Sequence, residues 1–365
     1  MQFLNVTDPR AVRWLRKGLA EWGFAGINLG HRIAAGLGLT GPRTAQPGTT
    51  SHRPGLVSQA VDLVSRPIRV DLPQRTFRQI LALEDKTQVP ILRDPTLSSE
   101  ETEAVFYFPG CGSERLFSDV GLATLAMLYA RGAQTVLPPG YLCCGYPQRA
   151  AGLEDRGRQI TMDNRVLFHR VANTLNYLDI RTVVVSCGTC MDQLLQYEFE
   201  RIFPGSRLLD IHEWLMEQGV SLVGVEGVQY LYHDPCHSPM KTHAPLKVAA
   251  SLIGQPVMLS DRCCGEAGTL GTARPDIANQ VRFRKREELT AGILALTGQE
   301  RVSQGEVKLL TACPACQQGL AKYQDETGLQ TDYIVVELAR RQLGEGWQQR
   351  FLDEVRAGGI ERVLL

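Results

Sequence analysis

The sequence lacks a long apolar segment and an excess of charge of either sign. It contains no run of about 18 uncharged apolar residues, and its start, MQFLNVTDPRAVRWLRKG, carries charge where a signal peptide needs an apolar region. The 39 basic and 39 acidic residues cancel, so composition gives no electrostatic argument for nucleic acid as a partner. We therefore expect a cytoplasmic protein that does not bind nucleic acid.

The usual loops for nucleotide cofactors are also missing. The sequence has no Walker loop and no GxGxxG that leads from a strand into a helix, and the glycines of 36–41 follow no predicted strand. We expect neither flavin nor NAD on this chain. Any hydride chemistry would then belong to a partner or to a further segment.

What the sequence does contain is length, apolar residues and cysteine. Its 365 residues, 44% of them hydrophobic, suffice for two domains with cores of their own. In a reducing compartment its ten cysteines would stay as thiols. A patterned set of thiols indicates metal ligands or redox groups rather than disulfides.

The cysteines form one pattern that occurs twice. Each copy has a single cysteine, an adjacent CCG and a CxxC, and the copies are separated by 125, 120 and 126 residues at these three groups. The first copy comprises Cys111, Cys143, Cys144, Cys187 and Cys190, and the second comprises Cys236, Cys263, Cys264, Cys313 and Cys316. Such regular spacing indicates a duplicated domain.

Short β-branched and aromatic runs alternate with longer helical patterns in both copies. The predicted strands are 104–108, 134–137 and 182–185, then 228–233, 256–259 and 307–311. The predicted helices are 115–131, 151–177 and 190–200, then 242–253, 275–296 and 314–323. This alternation predicts an α/β fold of two tandem, pseudo-symmetric lobes, each with a parallel sheet flanked by helices.

We expect the first cysteine-rich lobe at 104–224 and the second at 225–345, with a boundary near Gly224. A mainly helical N-terminal extension at 1–103 precedes the lobes, and a C-terminal tail at 346–365 follows them. Residues 10–37 include an amphipathic pattern, and 40–56 resemble a connector. The amphipathic segment has two interpretations: a helix that docks to a flavin subunit or lies peripherally on the inner membrane surface, or a helix packed on its own domain.

Each cysteine group follows a predicted strand. The carboxyl ends of parallel strands lie along one edge of a sheet, where open α/β sheets bind their ligands, so the three groups of each lobe should converge there. Nearby glycines suit a close backbone approach or a positive φ beside a bulky cofactor. These candidate cofactor-binding residues are Gly110, Gly145, Gly188 and Gly265.

Five thiolates per lobe favour an iron–sulfur cluster over a zinc ion. Structural zinc needs four ligands, usually from two CxxC pairs, whereas each lobe has one CxxC and an adjacent pair whose side chains diverge. Several soft thiolates around one site suit a multi-iron sulfide cluster. A zinc-stabilised scaffold without a redox role remains the alternative.

The pattern resembles a known family. The context FPGC, LCCGYP, HDPCH and CCGEAG is similar to the cysteine-rich CCG domains of heterodisulfide reductase and of glycolate oxidase iron–sulfur subunits. The resemblance covers about 104–340, and the first copy looks most like the C-terminal portion of bacterial FAD-linked D-lactate-type dehydrogenases.

The resemblance implies five cysteine ligands and a noncubane [4Fe–4S] cluster in each lobe. It also implies an iron–sulfur electron-transfer component of an oxidoreductase that acts on the CH–OH group of a 2-hydroxyacid, with the flavin on a partner subunit or domain. Relatives often carry a ferredoxin-like segment with closely spaced CxxCxxC runs, which is missing here, so a ferredoxin-like carrier is a second expected partner. The alternative is a thiol/disulfide redox enzyme of the heterodisulfide reductase type.

Three residues near the second cysteine set are candidate catalytic groups, namely His233, His237 and Glu266. Histidine titrates near neutral pH and could protonate a thiolate leaving group. The other interpretation is a histidine that donates a hydrogen bond to a cluster sulfur and tunes its potential.

Overall fold

The computed structural model describes residues 75–99, 102–223, 225–266 and 274–365, together with isolated residues 29, 33, 37, 73 and 270, but not the side chains at 275 and 276. Most of the predicted amphipathic segment at 10–37, the connector at 40–56 and the boundary at Gly224 lie outside the described residues.

The fold contains two sheets flanked by helices, which confirms the predicted α/β class. The strands of the first sheet are β1 (Gln88–Leu92), β2 (Ala104–Phe108), β3 (Gln134–Val136), β4 (Ile180–Val185), β5 (Arg207–Asp210) and β10 (Ile360–Leu364). Those of the second are β6 (Gln229–His233), β7 (Val257–Ser260), β8 (Val307–Thr311) and β9 (Gln330–Tyr333). The sheet orders are β10-β1-β3-β2-β4-β5 and β7-β6-β8-β9.

Helices connect these strands. In the first half they are α1 (Phe77–Leu81), α2 (Ser118–Ala130), α3 (Tyr146–Ala150), α4 (Glu154–Thr174), α5 (Gly188–Leu194) and α6 (Ile211–Glu217). In the second half they are α7 (Pro245–Ile253), α8 (Pro275–Thr297), α9 (Pro314–Leu320), α10 (Gln324–Thr327), α11 (Ile334–Leu343) and α12 (Trp347–Glu354). A π-helical turn, Gly112–Leu116, precedes α2, and a second one, Val355–Gly359, follows α12.

The six strands predicted from β-branched and aromatic runs all form within two residues of their predicted bounds. In β2, all five residues are buried because helices cover both faces of the sheet. Strands β3-β2-β4-β5 of the first sheet pair in parallel, as do all four strands of the second sheet. The carboxyl ends of these strands therefore meet at one edge in each lobe.

The first sheet extends beyond the predicted lobe at 104–224. Strand β1 pairs antiparallel with β3, and β10 pairs antiparallel with β1. One added strand comes from the predicted N-terminal extension, and the other comes from the predicted C-terminal tail. The two added strands thus extend the first sheet beside β3. No local pattern of the sequence reveals this long-range pairing.

The two lobes share a core with a reciprocal arrangement. Helix α2, which follows the first cysteine of lobe one, packs against α11, the last helix of lobe two, and α7 packs against α6 in the corresponding way. One continuous cluster of buried apolar residues includes Leu125 and Trp214 from lobe one and Tyr232 and Leu338 from lobe two. The lobes are therefore held in one relative orientation by apolar burial.

A buried ion network supports α11. The Glu337 carboxylate is fully buried; Lys308 Nζ lies 2.6 Å from its Oε2, and Tyr230 and Arg341 donate to its Oε1 at 2.8 and 3.0 Å. Burial opposes ionisation of Glu337, but the hydrogen bonds and charges of Lys308 and Arg341 outweigh it and lower its pKa. The network stabilises the ionised form.

Replacing Glu337 with glutamine is expected to lower the free energy of unfolding by about 3 kcal/mol at pH 7, since it leaves Lys308 buried without its counter-charge. Because the Glu337 pKa is lowered in the folded chain, this contribution is present above the ordinary value of 4.5 and is lost as the pH falls through the folded value. Urea denaturation of both proteins above and below pH 4.5 measures the difference, which should shrink in acid. The exposed pair Arg158–Asp155 supplies a control: Asp155→Asn should change nothing measurable.

Candidate metal centres

In the first lobe, the five cysteines come together at the carboxyl edge of the sheet. Cys111 follows β2, the adjacent pair follows β3, and Cys187 and Cys190 stand at the start of α5, directly after β4. The thiols lie near enough to shift one another's pKa in four neighbouring pairs: Cys111 and Cys143, Cys143 and Cys144, Cys144 and Cys190, and Cys190 and Cys187. All five predicted ligands of this lobe thus form one continuous chain of sulfur contacts.

The second lobe repeats this arrangement. The Sγ atoms of Cys264 and Cys316 are 3.3 Å apart, Cys264 also contacts Cys263, and Cys316 contacts Cys313. Cys236 is exposed and lies near enough to Cys263 to raise its pKa electrostatically. The second set therefore has a buried centre and one predicted ligand, Cys236, that is open to solvent.

The thiols of each set differ in acidity. Hydrogen bonds from the neighbouring thiols lower the pKa of Cys144 and of Cys187 in the first set and of Cys264 in the second. The same contacts, with burial, raise the pKa of Cys190 and of Cys316. Without a cation, therefore, only part of each set ionises readily, which is consistent with thiols that would bind a metal as thiolates.

Backbone amides support the sulfurs of both CCG motifs. Gly145 N–H donates to Cys143 Sγ at 3.5 Å, and Gly265 N–H donates to Cys263 Sγ at 3.4 Å. Both glycines have positive φ, of 94° and 76°, which any other residue would adopt with strain. These two predicted cofactor-side glycines lie against the ligands in the same way in both lobes.

The other two glycines allow two different close approaches. At Gly110, which has a φ of 64°, an added Cβ would lie 2.5 Å from Cys190 Sγ. At Gly188, an added Cβ would lie 1.6 Å from the backbone oxygen of His237 in the other lobe. The absence of a side chain at Gly110 therefore allows the Cys190 sulfur to approach the backbone, whereas its absence at Gly188 allows the two lobes to pack together.

The seam between the lobes brings equivalent positions of the two copies together. Gly188, which follows Cys187, packs on the backbone of His237, which follows Cys236. In the reciprocal contact, Pro314, which follows Cys313, lies 3.7 Å from the Cβ position of Gly112, which follows Cys111. The Tyr333 hydroxyl lies 2.7 Å from the oxygen of Ser186 and 3.0 Å from that of Ala312. These last two residues directly precede the CxxC motifs, so Tyr333 ties both ligand loops together.

His237 lies at this seam with a partly exposed side chain. Its Nδ1 hydrogen-bonds to Asp192 Oδ2, its Nε2 lies 3.0 Å from the Tyr146 hydroxyl, and Lys241 Nζ lies 2.9 Å from Asp192 Oδ1. Partial burial opposes ionisation of Asp192, but hydrogen bonds from His237 and Lys241 outweigh it and lower its pKa. Tyr146 and Asp192 also line a cavity of about 250 Å³.

The other two predicted catalytic residues have different surroundings. His233 is 1% exposed and lies with Cys264 and Cys316 in a group whose ligand atoms are all within 4.8 Å of one another. Glu266 pairs with Lys322 at 2.6 Å and with Arg282 at 3.6 Å. His237 therefore has the most exposed side chain of the three.

Four residues near these sites were not predicted from the sequence: Tyr146, Asp192, Tyr333 and Lys285, whose Nζ lies 3.2 Å from His233 Nδ1. Tyr146 directly follows the CCG motif, which is a signal that could have identified it. Asp192 and Tyr333 contact residues that are distant in the sequence. Their roles depend on how the lobes pack, which periodicity and motif spacing do not report.

Comparison with known proteins decides the family. The profile of a cysteine-rich domain matches residues 105–195 and 230–321, which together are half of the chain and contain both cysteine sets. The chain belongs to the cysteine-rich domain family. A domain of unknown function matches residues 321–365, which contain β9, α11, α12 and β10.

Curated relatives of this cysteine-rich protein include iron–sulfur proteins and components of redox enzymes. An uncharacterized iron–sulfur protein of Methanococcus maripaludis is 26% identical over 255 residues, which are 67% of this chain and 47% of the relative. One subunit of the fumarate reductase (CoM/CoB) of Methanothermobacter marburgensis is 27% identical, covering 61% and 42%. A probable glycolate oxidase iron–sulfur subunit of Bacillus subtilis is 25% identical, covering 53% and 47%.

The chain spans about half the length of these relatives. Among the described residues, every helix is too short or too polar to cross a bilayer. The proposed peripheral contact through residues 10–37 stays a prediction, since nearly all of that segment lies outside the described residues.

Proposed function

We propose that this protein binds one iron–sulfur cluster in each lobe and serves as the electron-transfer component of a flavin-dependent 2-hydroxyacid dehydrogenase of the D-lactate or glycolate type. The observation that carries this proposal is that both lobes have a complete set of five cysteines, placed after the carboxyl ends of parallel strands. The glycolate oxidase iron–sulfur component among the relatives supports the same assignment.

A bound iron–sulfur cluster would accept and release single electrons. In that role, the cysteines hold the metal, and the amides of Gly145 and Gly265 donate to ligand sulfurs and so stabilise their negative charge. The Tyr333 hydroxyl keeps the two ligand loops adjacent, which favours electron passage between the lobes. Hydride removal from the hydroxy acid would take place on a flavin subunit or domain, and a ferredoxin-like carrier would connect to the chain.

The five-cysteine sets suit a noncubane [4Fe–4S] cluster in each lobe, as in the resembling family. A zinc ion is the competing occupant, because His233, Cys264 and Cys316 alone supply three ligands of the types that zinc takes. Anaerobic purification followed by iron, acid-labile sulfide and zinc analysis separates the two. We expect iron and sulfide in equal amounts, whereas zinc without sulfide would refute the proposal.

A second candidate function, reduction of a disulfide at one cluster, is favoured by the surroundings of Cys236. This cysteine is exposed, and the adjacent His237 is held by Asp192 beside a cavity at the seam. His237 could protonate a departing thiolate there. Turnover of a small disulfide by the isolated, chemically reduced protein, without a flavoprotein, would favour this candidate over the first.

A further inference from the structure

We propose that the two metal sites are chemically unequal, because His233 donates a hydrogen bond from Nε2 to the ligand sulfur of Cys264 and is oriented for this by the buried ammonium of Lys285. The inference rests on the proposed iron–sulfur function and extends it. It assigns the higher reduction potential to the site of the second lobe.

The position of His233 points its free nitrogen at the ligands. Its side chain is 1% exposed, and a ring nitrogen lies within 4.8 Å of the Sγ atoms of both Cys264 and Cys316. Nδ1 is already engaged, at 3.1 Å from Ser260 O and 3.2 Å from Lys285 Nζ. Nε2 is buried and has no hydrogen-bond partner among the described residues. It is therefore the nitrogen that faces the sulfurs.

The tautomer of His233 depends on the hydrogen bonds of Lys285. The ammonium is fully buried and has three protons; its nearest partners are Ser260 Oγ at 2.6 Å and Glu288 Oε2 at 2.8 Å, and His233 Nδ1 and Ser260 O both lie at 3.2 Å. If the third proton points to Nδ1, that nitrogen is an acceptor, and the ring hydrogen of neutral histidine sits on Nε2. A metal-bound thiolate is an acceptor, so this tautomer complements it.

The first lobe has neither group. Phe108 precedes Cys111 by three residues, just as His233 precedes Cys236, and it is buried in an apolar cluster with Phe168. The place of Lys285 is taken by Asn164, which donates to the backbone oxygen of Cys143 instead. The positions of the helices support this match. The backbone oxygen of Gly157 lies near the Cβ position of Gly145, and that of Ala278 lies near the Cβ position of Gly265. Asn164 and Lys285 come seven residues after Gly157 and Ala278, so they occupy equivalent helix positions.

A hydrogen bond to a ligand sulfur stabilises the more negative, reduced state of a site. The second site should therefore accept an electron more readily than the first. Electrons that enter at the first lobe would then move to the second, the lobe in which Cys236 is open to solvent.

The test is a redox titration, followed optically and by EPR, of the intact wild-type protein and of variants at residue 233. We expect two reduction steps in the wild type. In His233→Phe, which installs the side chain that the first lobe carries, one step should shift to a more negative potential and the other should stay. His233→Gln keeps an N–H donor and should restore most of the shift.

Lys285→Met provides an independent variant that leaves the imidazole in place. Without the ammonium, Nδ1–H turns to Ser260 O and Nε2 loses its hydrogen, so the same step should shift in the same direction. His243→Phe is the control, since His243 lies in the same lobe and hydrogen-bonds to Glu217 at 2.9 Å. It should leave both potentials unchanged.

Two outcomes would overturn the inference. Unchanged potentials in His233→Phe and Lys285→Met, with full iron content, would show that the histidine does not act on the cluster. Loss of half of the iron from both His233→Phe and His233→Gln would make His233 a ligand rather than a hydrogen-bond donor. Absence of iron and sulfide from the wild type would instead refute the proposed function, and this inference with it.

Discussion

Cys264→Ser is expected to remove about half of the iron and acid-labile sulfide, and Cys144→Ser the other half. Each of these residues is the central thiol of its lobe: Cys144 contacts Cys143 and Cys190, and Cys264 contacts Cys263 and Cys316. Serine is a harder, less acidic ligand, so each substitution removes the thiolate that the site most stabilises. The double variant should contain neither iron nor sulfide.

Metal analysis of anaerobically purified variants measures this effect, and circular dichroism reports whether each chain has folded. Met191→Leu is a matched control, because Met191 is a fully buried sulfur-containing residue next to Cys190 that is not a predicted ligand. It should keep the full complement of iron. If either single cysteine variant lost all of its iron, the two lobes would not be separate sites.

Gly188→Ala is expected to destabilise the junction of the lobes by about 3 kcal/mol or more. The added Cβ would lie 1.6 Å from the backbone oxygen of His237, and a backbone atom can retreat only if the lobes move apart. Because the reciprocal packing of helices α2 and α11 holds the lobes together, that movement opens a shared apolar core. Urea denaturation, with iron content as a second readout, measures the loss.

The pseudo-symmetry of the chain supplies the control for this substitution. In Gly112→Ala, at the reciprocal contact, the added Cβ would lie 3.7 Å from Pro314 Cγ, which is an ordinary van der Waals distance. This variant should keep both its stability and its iron. If Gly112→Ala lost as much stability as Gly188→Ala, the contact between Gly188 and His237 would not be what limits the packing of the lobes.

Under the proposed function, the contact between the lobes gives the duplication a role. Tyr333 bonds to the residues that precede both CxxC motifs, and His237 reaches from the second ligand loop to Asp192 on the first lobe. The same contacts that hold the lobes together thus keep the two cysteine sets next to each other. A component that passes electrons between two centres requires such proximity.

Local sequence patterns were sufficient to predict much of the fold. Strand β2 and its counterpart β6 could be predicted because their residues are mostly apolar, aromatic or β-branched, as in strands covered on both faces. Strands β1 and β10 could not be assigned to the first sheet, since their pairing joins residues more than 260 positions apart. Only contacts across the folded chain decide such a pairing.

The duplication, the two sets of five cysteines and their place after parallel strands follow from the sequence alone, because motif spacing and strand periodicity are local properties of the chain. Which residues surround each set is a result of tertiary packing. That packing buries His233 against Cys264 with Lys285 behind it, and it places Phe108 at the equivalent position of the first lobe. Hydrogen bonds and charges act over a few ångströms in space, whatever the separation in sequence, so two similar cysteine motifs acquire different neighbours.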